Sequence, residues 1–286
     1  MGGVCVSEGD EPPFSRGDLD KLMATVLAHR GLDLTQYRRA YIERRLAARM
    51  RNLEIHTYRE YTDRLQSMPE EYSALIDVLT INVTDFFRDT PVWDILRTRV
   101  VSDMLAEKLR GRSRTIRVWS AGCATGEEPY SVAMMLLDAL GKDADKFLIT
   151  ILGTDLDPDA LASAAKGVYD NEFLKHIPPS YQVRFVRSAG KKSFEVLPEV
   201  RRLVRFKHIS LFDGPPMRVA DLVLCRNVFI YLDRTRQAKV LETFWTALAR
   251  GGYMVLGRSE KLSRESARRF EPIEPKERIY RKPNRI

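Results

Sequence analysis

The sequence VWSAGCATGEEPYS joins an apolar run to a turn of small residues and then to two adjacent carboxylates. Gly122, Ala124 and Gly126 have little or no side chain, so the backbone of this turn can approach a bound ligand closely. The glycine spacing differs from the G-x-G-x-x-G of dinucleotide sites. Glu127 and Glu128 would also repel a pyrophosphate at the start of the following helix. The turn therefore predicts a ligand that carries a cationic group and disfavours NAD.

A second apolar run ends in the residues GTDLDP and places Asp155 one helix and one strand after this turn. In a parallel sheet, a carboxylate at that position can accept hydrogen bonds from both hydroxyls of a ribose. The turn and Asp155 together predict an adenosine-bearing ligand. S-adenosylmethionine fits because it carries both an ammonium and a sulfonium group. The alternative is that the small residues only allow close packing of helix and strand.

The secondary structure predicted from the apolar pattern changes near Val100. From Asp18 to about that point, apolar residues recur at helical spacing, with turn signals at Gly31, Asn52 and in the sequence SMPE. After Val100, strand-like apolar runs alternate with helix-like segments, which predicts a mostly parallel sheet with helices on both faces. The predicted elements are strand Ile116–Trp119, helix Glu128–Leu140, strand Phe147–Gly153, helix Pro158–Ala165, strand Leu222–Cys225, helix Thr235–Ala249 and strand Tyr253–Leu256.

Two stretches fall outside this alternation. Between Asp170 and Ile209, segments with period-2 alternation flank Gly190 and predict a small antiparallel hairpin inserted in the α/β domain. Residues 1–17 are rich in Gly, Pro and Ser and indicate a disordered terminus outside the fold.

Composition bounds the classes of protein that remain. The chain has 286 residues, 44% of them apolar, and a net charge of +8, which favours an acidic partner such as nucleic acid, a membrane surface or an acidic protein. Cys5, Cys123 and Cys225 are far apart and the four histidines are scattered, so we expect neither disulfides nor a metal. We find no signal peptide and no apolar run of membrane-spanning length, which predicts a cytoplasmic protein.

Four motifs, in order, closely resemble those of the CheR family, the chemoreceptor glutamate methyltransferases: NVTDFFRD, WSAGCATGEEPYS, GTDLDPDALASAAKGVY and DLVLCRNVFIYLD. The resemblance covers the chain from about Asp18. It implies a small all-α N-terminal domain for receptor recognition at residues 18–95. It also implies a doubly wound S-adenosylmethionine-dependent methyltransferase domain at residues 96–286, with an inserted antiparallel β-subdomain at about 172–209. We expect a monomer that methylates glutamates in the acidic helical region of chemoreceptors, without nucleic acid or membrane insertion.

The resemblance also implies a set of site residues. Those that would bind S-adenosylmethionine, or its product S-adenosylhomocysteine, are Asn82, Thr84, Arg88, Gly122, Glu127, Asp155, Ser210, Leu211, Arg226 and Asn227. Arg88 would pair with the carboxylate of the cofactor and Glu127 would face its ammonium. Ser210 stands where family members commonly have Asn. Arg226, Asn227 and Tyr231 would lie where cofactor and acceptor meet and form the catalytic set.

The proposed chemistry requires little from the protein beyond alignment. A glutamate acceptor, with a reference pKa of about 4.3, is already ionised at neutral pH and needs no general base. Accordingly, the sequence shows no His-carboxylate or Ser-His arrangement, and we interpret Cys225 as a packing residue rather than a nucleophile. CRNVFIY lacks the motifs of base methylases, which disfavours nucleic-acid methylation. A non-catalytic adaptor that binds the cofactor as a signal and docks on an acidic protein remains an alternative.

The segment YRRAYIERRLAARMRNL carries six arginines against one glutamate. On a helix its apolar side chains form one stripe, made of Ile42, Leu46, Met50 and Leu53. Arg38, Arg45 and Arg49 line up beside the stripe and are predicted to face solvent and bind the carboxylates of the receptor. The alternative is a solvated face that only aids solubility, in which case the hairpin around Gly190 is the next candidate for docking.

Overall fold

The computed structural model of the protein describes residues 15–80 and 84–284. The chain forms two compact units, which divide between Ile81 and Asn82. The predicted boundary near residue 95 was therefore too late. Val92 and Trp93 belong to the buried core of the second unit. They lie in a helical segment whose apolar pattern resembles that of the helices before it, so the sequence alone did not separate them. Within the described ranges, no helix is long and apolar enough to cross a membrane.

The first unit is helical, as predicted. Its described part contains α1 (Arg16–Arg30), α2 (Arg39–Asn52), α3 (Tyr58–Ser67) and α4 (Glu70–Leu79). Local signals set the ends: the Ser15 side chain accepts the Asp18 N–H before α1, and Gly31 ends it in a left-handed conformation. Because α1 begins at Arg16, the predicted disordered terminus extended too far, and its residues 1–14 lie outside the described ranges.

The second unit contains the α/β elements. Its helices are α5 (Thr90–Ile95), the π-helical segment Leu96–Val101 that follows it, α6 (Ser102–Arg110), α7 (Glu127–Leu140), α8 (Pro158–Lys166), α9 (Pro179–Phe185), α10 (Pro198–Arg201), α11 (Arg234–Ala247) and α12 (Arg264–Ala267). Its strands are β1 (Thr115–Ala121), β2 (Leu148–Asp155), β3 (Val168–Asp170), β4 (Val186–Ser188), β5 (Ser193–Val196), β6 (Val204–His208), β7 (Ala220–Cys225), β8 (Leu248–Leu256), β9 (Glu271–Glu274) and β10 (Ile279–Arg281).

Seven strands form the main sheet, in the order β6-β2-β1-β7-β8-β10-β9. The first five are parallel, whereas β10 is antiparallel to both β8 and β9. The chain runs from β1 through β2 to β6 on one side, then returns to β7 and β8 on the other. The order therefore reverses between β1 and β7, and ligands of doubly wound sheets bind at the carboxyl ends of the strands at such a point.

The insertion is a three-stranded antiparallel sheet in the order β3-β5-β4. The predicted hairpin around Gly190 is confirmed as the β4–β5 pair. The predicted bounds of 172–209 were wrong at both ends, because the small sheet begins at Val168 and β6 pairs in parallel with β2 of the main sheet. β6 shows the same period-2 alternation as the hairpin, since it is an edge strand with one buried face.

Candidate cofactor site

The turn between β1 and α7 holds three residues with positive φ: Gly122 at 77°, Ala124 at 46° and Gly126 at 95°. A Cβ on Gly122 would lie 2.5 Å from Cγ2 of Val228, so the turn packs against the segment after β7. The Gly122 N–H donates to the Thr154 carbonyl at 2.8 Å. These contacts support the packing interpretation for this glycine, and its predicted contact with the cofactor stays a prediction.

Asp155 ends β2 and fastens this turn to the neighbouring strand. Its Oδ2 accepts the Ala124 N–H at 2.8 Å, and its Oδ1 accepts the N–H groups of Leu156 and Asp157 at 2.7 and 3.0 Å. Burial raises the pKa of Asp155, and the three backbone donors oppose that rise. The side chain remains partly exposed. Because each carboxylate oxygen can accept more than one hydrogen bond, ribose hydroxyls can still bind there.

Glu127 opens α7 with a side chain that is 1% exposed. Its carboxylate accepts the Thr125 hydroxyl at 2.8 Å. Burial raises its pKa to about 7; hydrogen bonds from Thr125 and Thr84 lower it and the nearby Asp85 raises it. None of the salt bridges among the described residues pairs a cationic side chain with this carboxylate. Burial without a cationic partner disfavours the charged form of this carboxylate, and a ligand cation would stabilise that form.

The backbone around Arg88 is fixed by contacts of this residue and its two neighbours. Phe87 and Asp89 on either side have positive φ of 50° and 60°, and the Phe87 N–H donates to Ser131 Oγ at 3.0 Å. The Arg88 carbonyl accepts the indole N–H of Trp93 at 2.9 Å. Two left-handed residues around one arginine are a costly conformation that the surrounding contacts must maintain. Asn82, predicted beside Arg88 in the same motif, lies outside the described residues.

Arg226 follows β7 and is 7% exposed. Its guanidinium donates to the Arg88 carbonyl at 2.9 Å, pairs with Asp89 at 2.5 Å and lies 3.6 Å from Glu128. The structure thus brings Arg226 to the predicted Arg88 segment, in a buried ion network that joins β7 to the start of α7. In this geometry Arg226 stabilises the segment around Arg88. Its predicted cofactor-binding and catalytic roles stay predictions.

Asn227 is the next residue and adopts a left-handed φ of 63°. Its Oδ1 is buried and has no hydrogen-bond partner in the described structure. Tyr231 ends a short 3₁₀ helix, Phe229–Tyr231, and is partly exposed. Cys225 lies fully buried in β7, where burial raises the pKa of its thiol, and this agrees with the packing interpretation.

Ser210 and Leu211 follow β6, beside the end of β2. The Ile209 N–H donates to the Asp155 carbonyl at 3.2 Å, which places this loop near the predicted ribose carboxylate. The Ser210 hydroxyl accepts the Phe212 N–H at 3.2 Å and so takes part in a local turn, while Leu211 is buried. Their predicted contacts with the cofactor stay predictions.

Sequence reasoning missed Glu260. This residue lies just after β8 and is 3% exposed, and its carboxylate accepts the N–H groups of Gly257, Asn227 and Phe229. The available signal was the sequence GRSE, a carboxylate that closely follows an apolar strand of the parallel sheet. Nothing local in the sequence indicates that its partners come from the turn after another strand.

The arginines predicted to bind a receptor do not share one exposed face. Arg49 forms a bidentate pair with Glu71 at 2.7 Å, and the Tyr61 hydroxyl donates to the same carboxylate at 2.7 Å. Arg45 is half-buried with its guanidinium 5.7 Å from the Tyr41 ring. The prediction of a solvent-facing row was therefore wrong for these two. Only Arg38 of the three is exposed.

Two family models match the chain and divide where the compact units divide. The model described as CheR methyltransferase, all-alpha domain, matches residues 17–80. The model described as CheR methyltransferase, SAM binding domain, matches residues 82–279. The second unit is therefore an S-adenosylmethionine-binding domain.

Curated relatives span nearly the same length. The probable chemotaxis protein methyltransferase of Rhizobium etli is 33% identical over 85% of this chain and 92% of its own. The chemotaxis protein methyltransferase of Klebsiella aerogenes is 33% identical over 89% of this chain and 86% of its own. That of Borreliella burgdorferi is 29% identical over 87% of this chain and 89% of its own.

Proposed function

Because the chain belongs to the CheR methyltransferase family, we propose that it methylates glutamate side chains of chemoreceptors and forms glutamyl methyl esters. The general activity, S-adenosylmethionine-dependent methylation in chemotaxis, follows from membership of the family. The relatives are named chemotaxis protein methyltransferases, and the resemblance of four motifs to the chemoreceptor glutamate methyltransferases supports glutamate as the acceptor. The observation that carries the cofactor part of the proposal is the buried carboxylate of Glu127 at the turn after β1, which none of the salt bridges within residues 15–80 and 84–284 pairs with a cationic side chain.

The described residues fit the cofactor in three respects. A cation would stabilise the charged form of the buried Glu127, and the cofactor carries an ammonium. The buried Oδ1 of Asn227 needs a donor, which the ammonium or the adenine amino group can supply. Asp155 keeps acceptor capacity for ribose hydroxyls. We propose that these three residues bind the cofactor and that Arg88, fixed by its two left-handed neighbours, pairs with its carboxylate.

When bound, S-adenosylmethionine would supply a methyl group on a positively charged sulfur, for in-line transfer to a carboxylate oxygen with the thioether as the leaving group. An ionised carboxylate has no proton to lose, so the chain needs no general base. The residues of the chain orient the two reactants. Effective alignment of this kind is worth up to about 7–11 kcal/mol of the barrier.

Labelled cofactor and receptor-enriched membranes test the proposal. We expect label on the receptor protein that mild base releases as methanol, because esters are base-labile whereas N-methyl groups are not. The matched control is Glu127→Gln, which should bind the cofactor weakly and transfer little label at the same cofactor concentration. Base-stable label, or label on nucleic acid, would overturn the glutamate proposal. Cofactor binding without any transfer would instead identify the protein as an adaptor.

A further inference from the structure

We propose that Glu260 is a positioning residue that holds the turn after β7, so that Asn227 presents its amide to the cofactor. The residue itself lies after β8, the strand next to β7, and is 3% exposed. It connects the ends of two adjacent parallel strands through its side chain alone. The inference rests on the proposed contact between Asn227 and the cofactor, but not on the identity of the methyl acceptor.

The carboxylate receives hydrogen bonds only from backbone N–H groups in the described structure. Oε2 accepts from Gly257 at 2.6 Å and from Asn227 at 3.1 Å, while Oε1 accepts from Phe229 at 2.7 Å. Burial raises the pKa of Glu260, and these donors oppose that rise. Charge-assisted bonds to backbone donors are among the stronger hydrogen bonds, so a carboxylate with several of them fixes a turn firmly.

The turn that Glu260 binds contains a left-handed residue. Asn227 has a φ of 63°, a region that asparagine enters more readily than most residues with a side chain, and the bonds to Glu260 favour it here. Glu260 accepts hydrogen bonds from the N–H groups of Asn227 and Phe229 in this turn. The buried Oδ1 of Asn227 has no hydrogen-bond partner in the described structure. A preformed acceptor of this kind gains its hydrogen bond when a ligand donor arrives, with little further ordering.

Gly257 makes the arrangement possible. A Cβ at this position would lie 2.7 Å from Oε2 of Glu260 and 2.8 Å from the Asn227 nitrogen. The structure therefore leaves no room for a side chain between the end of β8 and the turn. Gly257→Ala should therefore disturb both the carboxylate and the turn while leaving the charge of Glu260 unchanged.

The test compares Glu260→Gln with Glu277→Gln. Glu277 is a second buried carboxylate near the end of β8, but its ion-pair partner is Arg258, 3.2 Å away, and not the turn after β7. Calorimetry with S-adenosylhomocysteine should show at least about tenfold weaker binding for Glu260→Gln, in line with loss of the hydrogen bond between Asn227 and a charged donor of the ligand. Glu277→Gln should bind with wild-type affinity. Thermal unfolding records the stability loss of each variant.

A purely structural role for Glu260 predicts a different pattern. Glu260→Gln would then lose stability but, where folded, would bind S-adenosylhomocysteine within about twofold of wild type. That result would overturn the proposal. Gly257→Ala should reproduce the affinity loss, and wild-type affinity in a folded Gly257→Ala protein would contradict it equally.

Amide hydrogen exchange on the wild-type protein gives a readout that does not depend on any variant folding. If Glu260 preforms the turn, the amides of Asn227 and Phe229 are protected before cofactor is added. Fast exchange of both amides in the cofactor-free protein, with protection only after S-adenosylhomocysteine binds, would show that the ligand orders the turn and would overturn the positioning role.

Discussion

We expect the buried carboxylate of Glu127, proposed to face the ammonium of the cofactor, to couple cofactor binding to the pH of the solution. Its pKa lies at about 7 in the cofactor-free protein because burial disfavours the charged form. A bound ammonium would favour the charged form and lower this pKa, so binding below about pH 7 must release a proton. The affinity for the cofactor is then weakest in acid, rises with pH and levels off above the pKa of the free protein.

We therefore expect the affinity for S-adenosylhomocysteine to rise by up to about tenfold for each pH unit below 7 and to become constant above it. Calorimetry on either side of pH 7, in buffers of different ionisation enthalpy, measures both the affinity and the released proton. Glu127→Gln should bind more weakly and with no such pH dependence. A wild-type affinity that stays flat below pH 7 would place the ammonium elsewhere.

The same variant has the opposite effect on the cofactor-free protein. The folded pKa of Glu127 lies above its ordinary value of 4.5, so the stability of the free protein falls as pH rises from about 4.5 to about 7. Glu127→Gln removes this cost, which is at most about 3 kcal/mol above pH 7. A higher free energy of unfolding combined with weaker binding would separate a binding carboxylate from one that only supports the fold.

At the scale of single elements, α2 divides its arginines between the core and the surface. Arg49 supports the fold through Glu71, whose ionisation is opposed by burial but whose pKa is lowered by the hydrogen bonds from Arg49 and Tyr61. Arg44 and Arg51 are exposed and seven residues apart, which places them on one face of the helix. We propose that this face, and not the buried arginine, meets the acidic receptor.

A matched pair of variants separates the two roles. Arg49→Gln removes the cation beside Glu71 but leaves the hydrogen bond from Tyr61, and should lower the free energy of unfolding by about 1–3 kcal/mol. The double variant Arg44→Glu and Arg51→Glu should change stability by about 0.5 kcal/mol or less, yet raise the KM for receptor in a salt-dependent way. Receptor kinetics that match the wild type across a salt titration would exclude this face as the docking site.

The elements were more predictable from the sequence than the contacts between them. Apolar periodicity located the strands and helices around the site, because burial of one face or stripe imposes it locally. It could not assign β6, since an edge strand of the main sheet and a strand of the hairpin alternate alike. The pair of Arg49 with Glu71 and the reach of Glu260 to another strand depend on the assembled fold, which local patterns do not encode.

At the scale of the whole molecule, the cofactor residues and the exposed arginines of α2 lie in different compact units. The predicted cofactor residues, from Asn82 to Asn227, all follow the division after Ile81. The matched all-alpha model ends at residue 80 and the matched SAM-binding model begins at residue 82. We therefore expect cofactor binding and receptor recognition to be separable by cutting the chain at this division.

A protein that begins at Asn82 should bind S-adenosylhomocysteine within about threefold of the full chain, a difference below 1 kcal/mol. It should not methylate receptor membranes efficiently, because it lacks Arg44 and Arg51. Calorimetry and labelling on the same preparation measure the two properties, and circular dichroism confirms that the shortened protein is folded. A folded protein that fails to bind the cofactor would show that the first unit contributes to the cofactor site. Binding together with full receptor methylation would move the docking surface to the second unit, since α2 would then be dispensable.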